Sequence, residues 1–191
     1  MNLFNFRLGA VVLFAWTALI SVGASASVVT GNTHGSVEVE EFFDYQCPHC
    51  RTMLESTEKL TQNNSQIKLV TRVVPLLDRS SWTIARAVLA ARKQGKYSDL
   101  HHRLMEQREF ITSARLMGLA KAAGLDIAQL GRDMKSKAVA MELNANIRAS
   151  RGRNVEVIPA IFVHRTNNPS AEVRLIGDKS YSELQDSVAH L

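Results

Sequence analysis

Apolar and polar residues follow two different rhythms along this chain, and the changes between them mark its elements. Val37-Glu38-Val39-Glu40-Glu41-Phe42-Phe43 is strand-like, alternating before it turns wholly apolar. Pro48 then opens a stretch in which Cys50, Met53, Leu54, Thr57 and Leu60 recur at helical spacing, which predicts a helix to about Asn64. Ile67 to Val74 is a second strand, ended by Pro75. A long helical stretch follows. Ser80-Ser81 is positioned to cap a helix through Gln94, with Gly95 as its stop. Tyr97 to Arg108 and Ser113 to Ala123 read as two more helices, and Asp126-x-x-Gln129 reads as the capping box of a fourth. A fifth helix runs from about Lys137 to Ser150. Strand character returns at Ala160 to His164 and, after a turn at Asn167-Asn168-Pro169, at Glu172 to Ile176. Gly177-Asp178 is a tight turn, and Ser180-x-x-Glu183 caps a terminal helix. The order is βαβ, a block of helices, then ββα, an α/β pattern. Residues 27–36, small and polar with two glycines, read as a lead-in arm.

The first 26 residues break this pattern. Arg7 is their only charge, Leu8 to Ile20 is uncharged, and Ala24-Ser25-Ala26 has the form of a signal-peptidase site. The apolar core is short for a bilayer span, which takes about 20 residues, so residues 1–26 are expected to be a cleaved secretory signal, with a retained anchor as the alternative. Export implies an oxidising compartment, where disulfides persist. Removing the leader lowers the formal net charge from +5 to +4, and the positive excess gathers in residues 76–150. That excess reads as a solvated helical surface, with an anionic membrane face as the alternative. No basic run or aromatic platform points to nucleic acid.

The chain has two cysteines, and both lie in Cys47-Pro48-His49-Cys50, directly after the first strand. None is left for a separate structural bridge. Cys47 falls at a helix entrance, where unpaired N–H groups and the helix dipole favour an anion, so a thiolate there is stabilised. His49, when protonated, adds a nearby positive charge. Cys50 lies one turn further in on the apolar face, the place of a buried resolving thiol. Competing readings are weak. A c-type haem site needs His after the second Cys, and position 51 is Arg. A zinc ribbon needs a second Cys pair, and the adjacent His101-His102 lacks ligand spacing. An inert disulfide stays open, although so short a loop constrains little.

Glu41-Phe42-Phe43-Asp44-Tyr45-Gln46-Cys47-Pro48-His49-Cys50, with Val157-Ile158-Pro159-Ala160-Ile161-Phe162-Val163 far downstream, resembles the DsbA-like thiol–disulfide oxidoreductases of the bacterial periplasm. Gln94-Gly95-Lys96-Tyr97 with Leu104-Met105 is similar to their helical insert. The resemblance implies a thioredoxin fold with an inserted all-helical domain: residues 27–75 and 153–191 form the thioredoxin part and residues 76–152 the insert. It implies catalytic roles for Cys47, Pro48, His49 and Cys50. It also implies a cis Pro159 beside the cysteine pair, where Ile158 and Pro159 pair with an extended substrate peptide as an added strand. Glu41 shares the apolar face of its strand, and the resemblance makes it a buried acid that relays the proton of Cys50. A solvated carboxylate is the alternative, and Arg72 is the expected basic partner of that acid. The chain departs from many relatives, which have Gly-Thr before the proline where this sequence has Val157-Ile158.

The expected function is a dithiol oxidase that donates a Cys47–Cys50 disulfide to exported proteins and whose reduced form is the more stable fold. An isomerase or reductase of the same fold is the alternative, and a non-catalytic peptide-binding chaperone a second. The redox-active disulfide serves as the only cofactor, with no metal. The partners implied are reduced or unfolded exported polypeptides and a quinone-linked inner-membrane reoxidase (DsbB-like), with no nucleic acid.

Overall fold

A computed structural model describes residues 27–191; the leader expected at residues 1–26 lies outside the described residues. The elements run β1 (Val28–Gly31), β2 (Val37–Phe43), α1 (Pro48–Asn63), β3 (Ile67–Val73), α2 (Arg79–Ala91), α3 (Tyr97–Met105), α4 (Ser113–Ala122), α5 (Ile127–Asp133), α6 (Lys137–Gly152), β4 (Ala160–Arg165), β5 (Asn168–Ile176) and α7 (Tyr181–Ala189). A single turn of 3-10 helix, Arg92–Gln94, joins α2 to α3.

The five strands form one sheet in the order β1-β3-β2-β4-β5. Strands β2 and β3 are parallel, as the βαβ crossover through α1 requires, and the other pairings are antiparallel. Strand β2 is central and covered on both faces, so the alternation of its sequence does not translate into a wet side. Val37 and Val39 pack with Met53 and Leu60 of α1 and Leu184 of α7, while Phe42 packs on the opposite face against Phe162, edge to face at 5.7 Å. The largest cluster joins Phe43, Tyr45 and both cysteines to the apolar faces of α2 to α6. The end of β2 that delivers Cys47 therefore lies where the sheet meets the helices.

Four local expectations change. The lead-in arm contains β1, which pairs with β3 through Val28↔Thr71 to Gly31↔Lys68 and covers what would be the open edge of β3. Asp78, not the serines, caps α2: its Oδ1 accepts from the N–H groups of Ser80 (2.6 Å) and Ser81 (3.0 Å). The capping box at Asp126 is half local. Its Oδ1 accepts from Gln129 N–H, but Gln94, not Gln129, accepts from Asp126 N–H. Strand β5 begins earlier than expected, at Asn168, and takes in Pro169, which an edge strand tolerates. At Ser180 the capping box is complete.

Candidate active site

Cys47 is the N-cap of α1. Its extended backbone (φ −80°, ψ 116°) lets Sγ turn back over the first turn, where Cys50 N–H donates to it at 3.4 Å. Pro48 takes the first helical position, and the first turn holds no acidic residue to oppose a thiolate. Cys47 is a free thiol with 5% of its surface exposed; Cys50, also free, is sealed at 0%. The two thiols are pushed apart. Cys47 is lowered from 9.0 to about 6, first by a hydrogen bond from the Cys50 thiol, then by the Cys50 and His49 backbone N–H groups and the charge of His49, against the cost of burial. Cys50 is pushed far upward, chiefly by burial and then by its bond to Cys47.

The loop before the helix is held by its own polar groups. Asp44 Oδ1 accepts from Gln46 N–H (3.0 Å), Asp44 Oδ2 accepts from Leu76 N–H (3.0 Å) and Leu77 N–H (3.3 Å), and Asp44 O accepts from Cys47 N–H (3.0 Å). Gln46 pairs its amide with the backbone of Ile111, donating to the carbonyl and accepting from the N–H at 3.0 Å each. Arg51 donates to Gln107 O, Glu109 O and Gln46 O. The residues flanking the cysteines thus fasten the α3–α4 loop to the site. Sequence reasoning missed this network; the one hint was that three polar side chains, Asp44, Gln46 and Arg51, flank an otherwise apolar strand end and helix start.

Across from Cys47, the Ile158–Pro159 peptide is cis, and Ile158 O lies 3.8 Å from Cys47 Sγ. Pro159 O accepts from Gly177 N–H at 2.9 Å, so the β5–α7 turn closes behind the proline. From that turn Asp178 meets His49, Oδ1 to Nδ1 at 3.2 Å. Nothing in the sequence beyond the Gly-Asp turn signal marked Asp178.

Glu41 is 3% exposed, and its Oε1 has no hydrogen-bond partner among the described residues. Burial alone raises it from 4.5 to about 8, and its charge in turn raises Cys50. It borders a cavity of about 240 Å³ with Thr57, Thr71, Tyr97, His101 and Met105. His101, held neutral by burial with its value lowered to about 3, hydrogen-bonds the Tyr45 hydroxyl at 2.8 Å. Arg72 is not the partner of Glu41. The parallel register sets Arg72 opposite Phe42, on the other face, where its Nε lies 2.5 Å from Glu40 Oε1. Arg153 reaches the same carboxylate at 3.0 Å. Two consecutive acids are therefore both buried in opposite settings: Glu40 is paired with two arginines, Glu41 is unpaired and shifted upward.

Residues 38–189 match the family model of the DSBA-like thioredoxin domain. The chain belongs to this family. Its DsbA-like thioredoxin fold is shared with a thioredoxin-like oxidoreductase from Silicibacter pomeroyi DSS-3, 33% identical, with 86% of this chain and 91% of that one superposed at a TM-score of 0.78. The thiol–disulfide exchange protein alpha-DsbA2 from Wolbachia pipientis has the same fold at 22% identity (TM-score 0.75, 86% and 87% covered). So does the catalytic domain of ScsC from Proteus mirabilis, at 22% identity (TM-score 0.73, 88% and 90% covered). Among curated proteins the chain matches Na(+)/H(+) antiporter NhaA 1 of Salinispora arenicola, 24% identical over 148 residues, which are 76% of this chain and 23% of the antiporter. The chain spans about a quarter of the length of the curated relatives it matches. Membership makes residues 38–189 a DSBA-like thioredoxin domain.

Proposed function

We propose that the chain is a dithiol oxidase: its Cys47–Cys50 disulfide is donated to reduced polypeptides exported to the periplasm. The observation that carries this reading is the placing of the two thiols: Cys47 Sγ caps α1 and accepts Cys50 N–H at 3.4 Å while Cys50 is sealed, in keeping with a Cys47 lowered to about 6 and a Cys50 raised by burial. A substrate thiolate attacks the accessible sulfur, Cys47, and the S–S bond breaks toward Cys50. The buried Cys50 cannot keep the charge, and in this reading Glu41, protonated at neutral pH, supplies the proton. A second substrate thiolate then attacks the substrate sulfur of the mixed disulfide and expels Cys47. A thiolate of low pKa is a good leaving group, which drives release of the oxidised product. Two substrate thiols become one disulfide, and the protein ends as the dithiol. Cycling then requires an oxidant that takes two electrons from Cys47 and Cys50; a quinone-linked membrane reoxidase is the partner class proposed.

The rim of the site favours unfolded substrates. Leu76, Leu77, Phe110 and Val157 are exposed apolar side chains. Leu76 and Leu77 bond Asp44, Phe110 precedes the Ile111 held by Gln46, and Val157 precedes Ile158. An apolar rim that reads no particular side chain suits extended, partly apolar polypeptide.

The test is oxidation of a reduced two-cysteine peptide by the disulfide form, followed at stoichiometric concentration. Stoichiometric transfer that Cys47→Ser abolishes supports the reading. A protein that reshuffles scrambled disulfides but leaves the reduced peptide unoxidised is an isomerase and overturns it.

A further inference from the structure

The turn between β5 and α7 is fastened across the cysteine site at three points. Gly177, at φ +80°, donates its N–H to Pro159 O; Lys179 donates its N–H to Met53 Sδ at 2.8 Å; and Asp178 meets His49. Met53 is fully buried one turn beyond Cys50, and the complete capping box at Ser180 fixes the far end of the turn. The position of Asp178 is therefore imposed by backbone bonds on either side of it and does not depend on its contact with His49.

We propose that Asp178 is a tuning residue: by pairing with His49 it weakens the oxidising strength of the Cys47–Cys50 disulfide. The inference rests on the reading of Cys47 as the reacting thiol. Its sign follows from charge alone. With Asp178 ionised, the His49–Asp178 pair carries a net charge between −1 and 0, whether or not the imidazole holds a proton. With a neutral residue at 178 the same place carries between 0 and +1. Cys47 therefore faces a less positive neighbour than the Cys-Pro-His-Cys sequence suggests, and its thiolate is less favoured. The other charged groups beside Asp178 do not reverse this. Lys179 acts on Asp178 but also lies 3.7 Å from Glu183 on α7 and is the same with either residue at 178, and on α1 the group that meets Asp178 is His49. The hydrogen bond from His49 holds the Asp178 carboxyl below the usual carboxylate range, so the brake acts throughout neutral pH.

The effect is read from equilibrium with glutathione, in which the protein disulfide and two glutathione thiols become the protein dithiol and one glutathione disulfide. Asp178→Asn keeps an acceptor for Nδ1–H and removes the charge. It is expected to move this equilibrium toward the protein dithiol by roughly twofold to fivefold at pH 7, the range of an exposed ion pair. It also shifts Cys47 alkylation to lower pH, and Asp178→Glu restores wild-type behaviour. A purely structural role for the turn would leave the potential of the well-folded Asn variant unchanged. An unchanged equilibrium, or a shift toward the disulfide, overturns the proposal. If the wild-type Cys47 itself shows ordinary thiol reactivity, the oxidase reading has failed instead, which keeps the two outcomes distinguishable.

Discussion

Cys50 N–H donates to Cys47 Sγ at 3.4 Å, and the Cys50 thiol beside that sulfur is the largest single cause of the lowered Cys47 value. The resolving cysteine is thus also the group that activates its partner. The helix entrance contributes through the N–H groups of Cys50 and His49, and the charge of His49 comes last. Removing the donor without filling its place separates these contributions. Cys50→Ala is expected to raise the alkylation midpoint of Cys47 by roughly one to two pH units. Cys50→Ser, which keeps a donor of the same reach, stays closer to the wild type. Iodoacetamide rates across pH 4 to 10 measure both.

Glu41 costs the fold stability whenever it ionises. Its folded value is raised from 4.5 to about 8, so the cost begins as pH rises past 4.5, grows to pH 8 and is constant above that. At pH 7 this amounts to about 3 kcal/mol as an upper figure. Glu41→Gln carries no charge at any pH and is expected to stabilise the protein by about 1 to 3 kcal/mol at pH 7, with no gain at pH 4. Denaturant unfolding at the two pH values checks the sign. The same variant should slow formation of the mixed disulfide in peptide oxidation, because Cys50 loses its proton donor as it leaves.

The redox forms should differ in stability in a pH-dependent way. A folded Cys47 value of about 6, against 9.0 for an ordinary thiol, stabilises the reduced fold. That gain is complete above pH 9, shrinks as pH falls, and is gone below pH 6. The disulfide form has no such group. The difference in Tm between reduced and oxidised protein is therefore expected to favour the reduced form at pH 8 more than at pH 6. Paired thermal melts read it directly, and a difference that grows on acidification contradicts the assignment.

Glu40 should behave in the opposite sense to its neighbour. It is held by Arg72 and Arg153, which tie β2 to β3 and to the residue that ends α6. Removing Glu40 takes the carboxylate from half-buried Arg72 while Arg153 keeps Glu172, so Glu40→Ala is expected to destabilise by about 1 to 3 kcal/mol. Urea unfolding measures this, and the Cys47 midpoint should not move, because Glu40 lies on the other face of the sheet.

The elements were legible because the chain changes period where it changes structure. The Val37 to Phe43 strand, the helix opened by Pro48 and the Ser180 box all carry local signals. The cysteine pair was legible for the same reason: its chemistry is written in four consecutive residues. Contacts across the fold were not. The family resemblance, not a local signal, makes Arg72 the expected partner of Glu41. Only the register Phe42↔Arg72 reveals that they face opposite sides. β1 was hidden because a four-residue edge strand with Gly31 and polar neighbours has too little pattern to separate from a loop. Asp178 and Gln46 act over 129 and 65 residues of sequence, on His49 and Ile111 respectively, and no local rule reaches that far.

The most direct test is a pH titration of the Cys47 thiolate in the reduced wild-type protein, by ultraviolet absorbance and by alkylation rate. A midpoint near pH 6, with Cys50 silent through pH 9, is the expected result. A midpoint near 9.0, the value of an ordinary thiol, would contradict the activated-thiolate account and the oxidase function built on it.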